Sequence, residues 1–222
     1  GEEAPSGWSA PARWSMGLLN NEDWRNTHWI TLRTGVNTAH KYDELYLPPA
    51  RYFRKDFAVE KPVKRATLYA TAKGIYELSL NGERVGRDRF TPGWTDYNKR
   101  LYYNTYDVTD ALRAGGNALG SILADGWYAG YVGFGILERL ERVREFYGVE
   151  PAFFCRLEIE YQDGTRETVA TDPSWKAAEG PIREADLLMG ETYDARREHP
   201  GWDLPGFDDS AWRQPELSTW PE

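Results

Sequence analysis

Short segments of alternating polarity, each ended by a glycine-containing turn, restrict the fold of this chain more than any other sequence feature. Within Pro151–Tyr161 apolar side chains alternate with arginine and glutamate, which is the pattern of a strand with one buried face. Asp163-Gly164 then provides a turn, and Thr165–Thr171 is the expected partner strand. Asn81-Gly82 within Ile75–Val85 predicts a second hairpin, because both residues tolerate the positive φ of a type I′ turn.

Further segments extend the same pattern. Val63–Ala72 and Leu101–Tyr106 predict strands, and Asn117–Ala124 is almost entirely apolar, so we expect it at the centre of a sheet. Asp107–Arg113 predicts a single helical turn. Along Gly135–Tyr147 apolar residues recur at helical spacing, which predicts one amphipathic helix inserted between two strands. With 21 glycines, 13 prolines and 14% aromatic residues, the chain is expected to form an antiparallel β-sandwich or barrel with one short helix.

The first residues differ from the rest. Residues 1–27 include three tryptophans but show no sustained period of a strand or a helix. We therefore interpret 1–27 as a junction or the end of a preceding domain. Residues 28–222 are the predicted β-sandwich domain, and 28–50 form its interdomain segment.

Charge and composition exclude several classes of function. The chain has 27 basic and 35 acidic residues, a formal net charge of −8, which argues against nucleic acid or an anionic membrane as a partner. Its single cysteine, Cys155, cannot form an internal disulfide, and its three histidines are far apart, so no metal site is predicted. Nucleotide-binding, metalloprotease and serine hydrolase motifs are missing. Adjacent carboxylates such as Asp208-Asp209 point to opposite faces of an extended chain and cannot flank one glycosidic bond.

Two predicted loops place tryptophan two residues from aspartate. Sugars bind proteins by stacking their C–H faces on aromatic rings and by donating vicinal hydroxyls to Asp or Asn. Pro92–Asn98 and Asp125–Tyr128 each contain an aromatic ring for stacking and a polar side chain that can accept such hydrogen bonds. The candidate sugar-binding residues are Trp94, Asp96, Asn98, Asp125 and Trp127, with Tyr128 and Glu191 as second-tier candidates. Alternatively, these tryptophans fill the ends of the core, the aspartates bond to loop backbone, and Glu191 or Asp194 pairs with Arg196.

Several motifs, taken in order, resemble a known family. Three of them are similar to the galactose-binding-like jelly rolls of glycoside hydrolases: Leu78–Gly86, Asp107–Leu112 with Gly116-Asn117, and Phe207–Trp212. Four others are similar, in order and spacing, to the N-terminal β-sandwich domain of bacterial α-L-rhamnosidases: Pro92–Tyr97, Asp125–Tyr128, Gly180–Ile182 and Gly190–Arg196. The resemblance covers nearly the whole chain, and it implies an all-β, antiparallel jelly-roll β-sandwich.

The resemblance also implies a function. The family's enzyme is an inverting glycosidase whose acid and base glutamates lie on a separate (α/α)6 barrel, and no segment of this chain looks like that barrel. The chain is therefore expected to be a non-catalytic accessory domain of a rhamnosidase. Its expected partners are an L-rhamnose-containing glycan and the catalytic barrel and flanking domains of the same parent chain. The alternative is a purely structural domain that docks on the barrel.

The resemblance bears on cofactors as well. In some relatives a similar sandwich binds terminal rhamnose with a calcium ion. The segment between Asp125 and Pro151 contains no Asn or Asp, whereas calcium requires six or more oxygen ligands. No cofactor is therefore predicted, and this departure from the family pattern argues against calcium.

Overall fold

A computed structural model describes residues 7–12, 14, 16–34, 45–133 and 144–218. In this part of the chain almost all regular structure is β. The strands are β1 (Ile30–Thr31), β2 (Arg51–Val59), β3 (Val63–Lys73), β4 (Ile75–Leu80), β5 (Glu83–Arg84), β6 (Asn104–Asp107), β7 (Gly115–Ala124), β8 (Ala152–Tyr161), β9 (Arg166–Ala170), β10 (Lys176–Glu179), β11 (Ile182–Asp186), β12 (Gly190–Tyr193) and β13 (Glu216–Leu217). The helix α1 covers Gly126–Ala129, and 3-10 turns cover Asn21–Trp24, Thr109–Ala111 and Ala195–Arg197.

The strands form two main antiparallel sheets. The first sheet has the order β13-β1-β8-β3-β6, with β9 also paired to β8. The second sheet has the order β10-β2-β7-β4-β5, and β11 and β12 form a separate hairpin. The apolar strand β7 lies between β2 and β4, which confirms the central position predicted from its sequence. The predicted all-β antiparallel sandwich is confirmed.

Both predicted hairpin turns are present. Asn81 (φ 56°) and Gly82 (φ 83°) join β4 to β5, as a type I′ turn requires. After β8 the carboxylate of Asp163 accepts the backbone N–H of Thr165 at 2.9 Å, and β9 returns along β8. These turns fix the register of the strands that they connect.

The core lies between the inner faces of the two sheets. Its largest buried apolar side chains include Phe53, Leu119, Phe153 and Trp175, and all four are fully buried. Side chains of this kind each contribute about 1.5–3 kcal/mol when they leave water.

The outer face of the first sheet is also covered. Along β3 the side chains that point away from the core, including Tyr69, are buried as well. The indole of Trp24 packs edge-on against Tyr69 at 6.0 Å and against Tyr103 at 5.3 Å, both distances between ring centroids. Part of the segment before residue 28 therefore packs on the sandwich. The boundary at residues 27 and 28 stays a prediction.

The predicted helix over Gly135–Tyr147 falls mainly outside the described residues. In its described remainder, Arg144 forms an isolated antiparallel bridge with Tyr131, and Glu145 has a φ of 58°. Residues 144–147 are therefore not helical. None of the helices in the described ranges is long and apolar enough to cross a membrane.

Candidate functional site

The two loops singled out by the sequence follow β5 and β7, which both pair with β4 in the second sheet. The loop with Trp94 is tied to β4, because the backbone N–H of Tyr76 donates to Thr91 O at 2.9 Å and Thr91 Oγ1 donates to Tyr76 O at 2.6 Å. The helix α1, with Trp127, directly follows β7. Since the start of β4 pairs with the end of β7, the two loops meet at one end of the sandwich.

A glycine fixes the position of α1. Gly126 has a φ of 53°, and a Cβ on this residue would lie 2.9 Å from the backbone of Gly74 and of Ile75. Only glycine tolerates both the conformation and this close approach. The first turn of α1 is consequently held against the connection between β3 and β4, and Trp127 follows at once.

Trp94 and Trp127 form what we call the indole platform. Their rings are parallel within 6°, with centroids 6.2 Å apart, and Trp94 is 48% exposed. Phe90 packs edge-on against Trp127 at 6.1 Å. The Nε1–H of Trp94 donates to the hydroxyl of Tyr147 at 3.3 Å, which orients its ring. The arrangement presents aromatic surface to solvent in a fixed orientation.

Tyr128 supports the platform from within. It packs edge-on against Tyr97 at 5.3 Å, and Tyr97, which is 3% exposed, also contacts Tyr147 at 5.0 Å. Burial raises the pKa of Tyr128, so its hydroxyl stays protonated at neutral pH. In this position Tyr128 holds the neighbouring rings more than it contacts solvent.

Asp96 and Asn98 lie on the surface in the same loop as Trp94. Asp96 accepts a hydrogen bond from the backbone N–H of Asn98 at 3.2 Å, and its second oxygen pairs with Lys99 Nζ at 3.0 Å. The hydrogen bond from Lys99 holds the pKa of Asp96 below its usual range. Asp96 is therefore an ionised, partly exposed acceptor, and Asn98 is an exposed one.

Asp125 lies in a different environment from Asp96. It is 2% exposed, and its two oxygens pair with Arg51 at 3.1 Å and with Arg144 at 2.5 Å. Arg144 also donates to the carbonyl of Ala129 at the end of α1 and to that of Tyr46. Both carboxylate oxygens of Asp125 are thus paired with arginines and shielded from solvent.

Glu191 lies on β12 and lines a cavity next to the platform. The cavity has a volume of about 430 Å³ and an apolar floor that includes Ile75 and Ile122. Phe90, which contacts Trp127, lines the cavity on the platform side. A carboxylate oxygen of Glu77 pairs with Arg89 at 3.1 Å on the polar rim. Phe90 thus connects the platform to the cavity that Glu191 lines.

Sequence reasoning missed several residues of this surface. Phe90 and Arg89 immediately precede the loop that carries Trp94, and Phe90 is 57% exposed. Because Phe90 is an aromatic residue beside a predicted turn, it could have been identified as a candidate from the sequence. Asp186 gave no such signal, although it accepts the backbone N–H of Tyr131 at 2.9 Å and thereby fastens the β11–β12 hairpin next to the cavity.

A metal site would require several ligating side chains close together. Among the described residues, no three His, Cys, Asp or Glu side chains lie close enough together to hold a metal ion. The expectation that the chain holds no calcium stays a prediction. Asp194, expected to pair with Arg196, does so at 2.8 Å, and this pair organises the loop after β12.

Comparison with known proteins agrees with this architecture. Residues 61–222 match the family described as Alpha-L-rhamnosidase N-terminal domain. An alpha-L-rhamnosidase of Streptomyces avermitilis is 56% identical over 165 residues, which cover 73% of this chain and 15% of the relative.

Two crystal structures show the same relationship. The native alpha-L-rhamnosidase of Aspergillus terreus superposes with a TM-score of 0.83 at 35% identity, over 92% of this chain and 22% of that one. The Streptomyces avermitilis alpha-L-rhamnosidase complexed with L-rhamnose superposes with a TM-score of 0.73 at 52% identity, over 78% of this chain and 16% of that one.

This chain spans between 15% and 22% of the length of these relatives. The matched residues include both loops of the indole platform and the strands that hold them. The chain belongs to the alpha-L-rhamnosidase N-terminal domain family.

Proposed function

We propose that this chain is a non-catalytic accessory domain of an α-L-rhamnosidase, and that it binds the L-rhamnose-containing glycan on which the parent enzyme acts. The observation that carries the proposal is the indole platform, in which Trp94 and Trp127 are parallel within 6° and Trp94 is 48% exposed. An exposed tryptophan that lies parallel to a half-buried one suits the C–H face of a sugar ring.

The chemistry of rhamnose fits the surroundings of the platform. Rhamnose is a 6-deoxy sugar, so it has an apolar methyl group in addition to vicinal hydroxyls. The apolar cavity beside Phe90 suits the methyl group. Asp96 and Asn98 supply acceptors for hydroxyls, and a hydrogen bond to a charged group contributes about 1.5–3 kcal/mol. One stacked ring and one or two such bonds support binding in roughly the 10 µM to millimolar range.

The catalytic step is assigned to another part of the parent protein. Three carboxylates of the site are engaged within the fold: Asp96 pairs with Lys99, Glu77 pairs with Arg89, and Asp186 accepts the backbone N–H of Tyr131. In this proposal a helical (α/α)6 barrel elsewhere in the parent chain supplies the acid and the base. The sandwich holds the glycan near that barrel.

The proposal is tested by calorimetric titration of the chain with L-rhamnose. We expect millimolar binding that Trp94→Ala weakens about tenfold, because a stacking face is lost. Trp14→Ala is the matched control, since Trp14 is 85% exposed and lies outside the site. If Trp94→Ala binds rhamnose like the parent sequence, the platform is not the site.

A second candidate function is docking on the rest of the parent protein. One observation favours it: Trp8, Trp14 and Leu19 are 102%, 85% and 69% exposed, which leaves an apolar strip before the first strand. Hydrogen exchange of residues 7–19 in the parent protein and in this chain distinguishes the two functions. Strong protection in the parent alone, together with no rhamnose binding at tens of millimolar, supports docking.

A further inference from the structure

A second cleft lies on the outer face of the first sheet, away from the indole platform. On β3 the side chain of Ala70 points into the core, so its neighbour Thr71 points outward and lines this cleft. On β4 the side chain of Leu78 points into the core, so Glu77 points outward and lines the cavity beside the platform. The two concave surfaces therefore lie on opposite faces of the sandwich.

Half of the residues that line the cleft are aromatic. Trp24 packs on Tyr103 at 5.3 Å, and Trp29 packs on Phe154 at 4.8 Å. Tyr102 is 45% exposed, and the cleft has a volume of about 430 Å³. This volume lies within roughly 300–1,000 Å³, the usual size of small-molecule sites.

Hydrogen bonds to backbone carbonyls hold this wall in place. The hydroxyl of Tyr103 donates to Leu18 O at 3.3 Å, and Thr71 Oγ1 donates to Tyr102 O at 2.6 Å. Both bonds join the loop before β6 to other parts of the chain. The aromatic faces are therefore positioned before any ligand arrives, which lowers the cost of binding.

The cleft is positively charged although the chain as a whole carries a net charge of −8. Arg100 donates through Nε to Thr95 Oγ1 at 3.4 Å, and its guanidinium carbon lies 5.5 Å from the ring centroid of Tyr102. Among the described residues no carboxylate pairs with Arg100, whereas the charge of Lys99 is offset by Asp96 at 3.0 Å. The terminal N–H groups of Arg100 are thus available to an anion.

Other polar groups of the cleft are also open to a ligand. Within the described ranges, the side-chain amide of Asn21 and the hydroxyl of Tyr102 make no hydrogen bond to protein, and both residues are exposed. An amide and a phenol can each donate to and accept from sugar hydroxyls. Stacking faces, hydroxyl partners and one uncompensated guanidinium occur together in this cleft.

We infer that this cleft binds an anionic saccharide, specifically a uronic acid residue. Its pyranose ring stacks on Tyr102 and Trp24, and its carboxylate accepts two parallel hydrogen bonds from the guanidinium of Arg100. A neutral sugar would use the rings but leave the charge of Arg100 without a partner. The inference does not rest on rhamnose binding at the platform, although Lys99 of the cleft pairs with Asp96 beside the platform.

The test compares sodium D-galacturonate with D-galactose, which have the same ring hydroxyls and differ in the carboxylate at C6. Amide chemical shifts of the ¹⁵N-labelled chain report both affinity and location. We expect saturable shifts at residues 99–103 and 21–29, and binding of the uronate about tenfold tighter than that of galactose. Arg100→Gln should remove this preference, and Tyr102→Ala should weaken binding of both sugars.

Two control variants isolate the effect. Arg166→Gln removes an arginine that is 78% exposed on β9 of the same sheet, and it should leave uronate binding unchanged. Trp94→Ala should also leave it unchanged, so failure at one surface is distinguishable from failure at the other. The inference is overturned by equal binding of uronate and galactose, by an unaltered affinity in Arg100→Gln, by shifts confined to residues outside the cleft, or by no binding at about 50 mM.

Discussion

Asp96 and Asp125 stand in similar sequence contexts and in opposite physical environments. Each lies two residues from a tryptophan of the indole platform, Asp96 after Trp94 and Asp125 before Trp127. Asp96 is partly exposed and pairs with one exposed lysine, whereas Asp125 is 2% exposed and pairs with two buried arginines. A tryptophan two residues from an aspartate therefore identifies a candidate binding loop. Whether the carboxylate can bind a ligand depends on its burial, because a buried carboxylate pairs with other groups of the fold.

The largest effect that we predict is the loss of stability in Asp125→Ala. Removing this carboxylate leaves Arg51 and Arg144 buried without a counterion, which should lower the free energy of unfolding by about 3–5 kcal/mol. Urea unfolding followed by fluorescence measures the change. A double-mutant cycle with Arg144→Met should give a coupling energy of about 0.5–3 kcal/mol.

Asp96→Ala is the matched comparison for that experiment. We expect its urea midpoint to stay close to that of the parent sequence, because exposed ion pairs contribute little to stability. If Asp125→Ala were as stable as Asp96→Ala, the contrast between the two aspartates would be wrong.

The next effect concerns binding. We expect Asp96→Ala to weaken L-rhamnose binding about tenfold, since one charge-assisted hydrogen bond is lost. Calorimetry measures the affinity, and Asp194→Ala serves as a control, because Asp194 pairs with Arg196 on the loop after β12. Rhamnose affinity that is identical in Asp96→Ala and in the parent sequence would remove Asp96 from the site.

The smallest predicted effect is a shift in acid titration. The hydrogen bond from Lys99 lowers the pKa of Asp96, so Lys99→Gln should raise the midpoint at which its carboxyl carbon titrates by NMR. Because the folded pKa is the lower one, the contribution of this pair to stability is present above about pH 4 and is lost as the pH falls through the folded pKa. An unchanged midpoint in Lys99→Gln would contradict this cause.

Local turn chemistry made much of the fold predictable. Asn81-Gly82 and Asp163-Gly164 fixed two hairpins, and the apolar run Asn117–Ala124 identified the central strand β7. These signals act within a few residues of one another. They are therefore readable without knowing what lies across the sheet.

The strand β2 shows why other parts were not predictable. Its residues Arg51–Val59 carry charges that obscure any alternation, and Arg54 is 0% exposed. Arg54 pairs with Asp209, which is 155 residues away, and donates to the carbonyl of Trp202 at 2.8 Å. A buried charge is tolerated only where such partners exist, and partners this distant leave no local pattern.

The candidate site was also only partly predictable, because some of its contacts join residues far apart in the sequence. The loops that carry Trp94 and Trp127 were recognisable from composition, and the pairing of β4 with β7 brings them together. The burial of Asp125 depends on Arg51, 74 residues earlier in the chain, and on Arg144. A spacing rule applied to one loop could not distinguish Asp125 from Asp96.

The central claim is that the indole platform binds rhamnose while Asp125 stays within the fold. The most direct measurement is a titration of the ¹⁵N-labelled chain with L-rhamnose, observed at the indole N–H signals of its ten tryptophans. The account predicts saturable shifts for Trp94 and Trp127, and unchanged signals for Trp24 and Trp175. Saturation that leaves Trp94 and Trp127 unmoved, or no saturation at all at tens of millimolar, would contradict it.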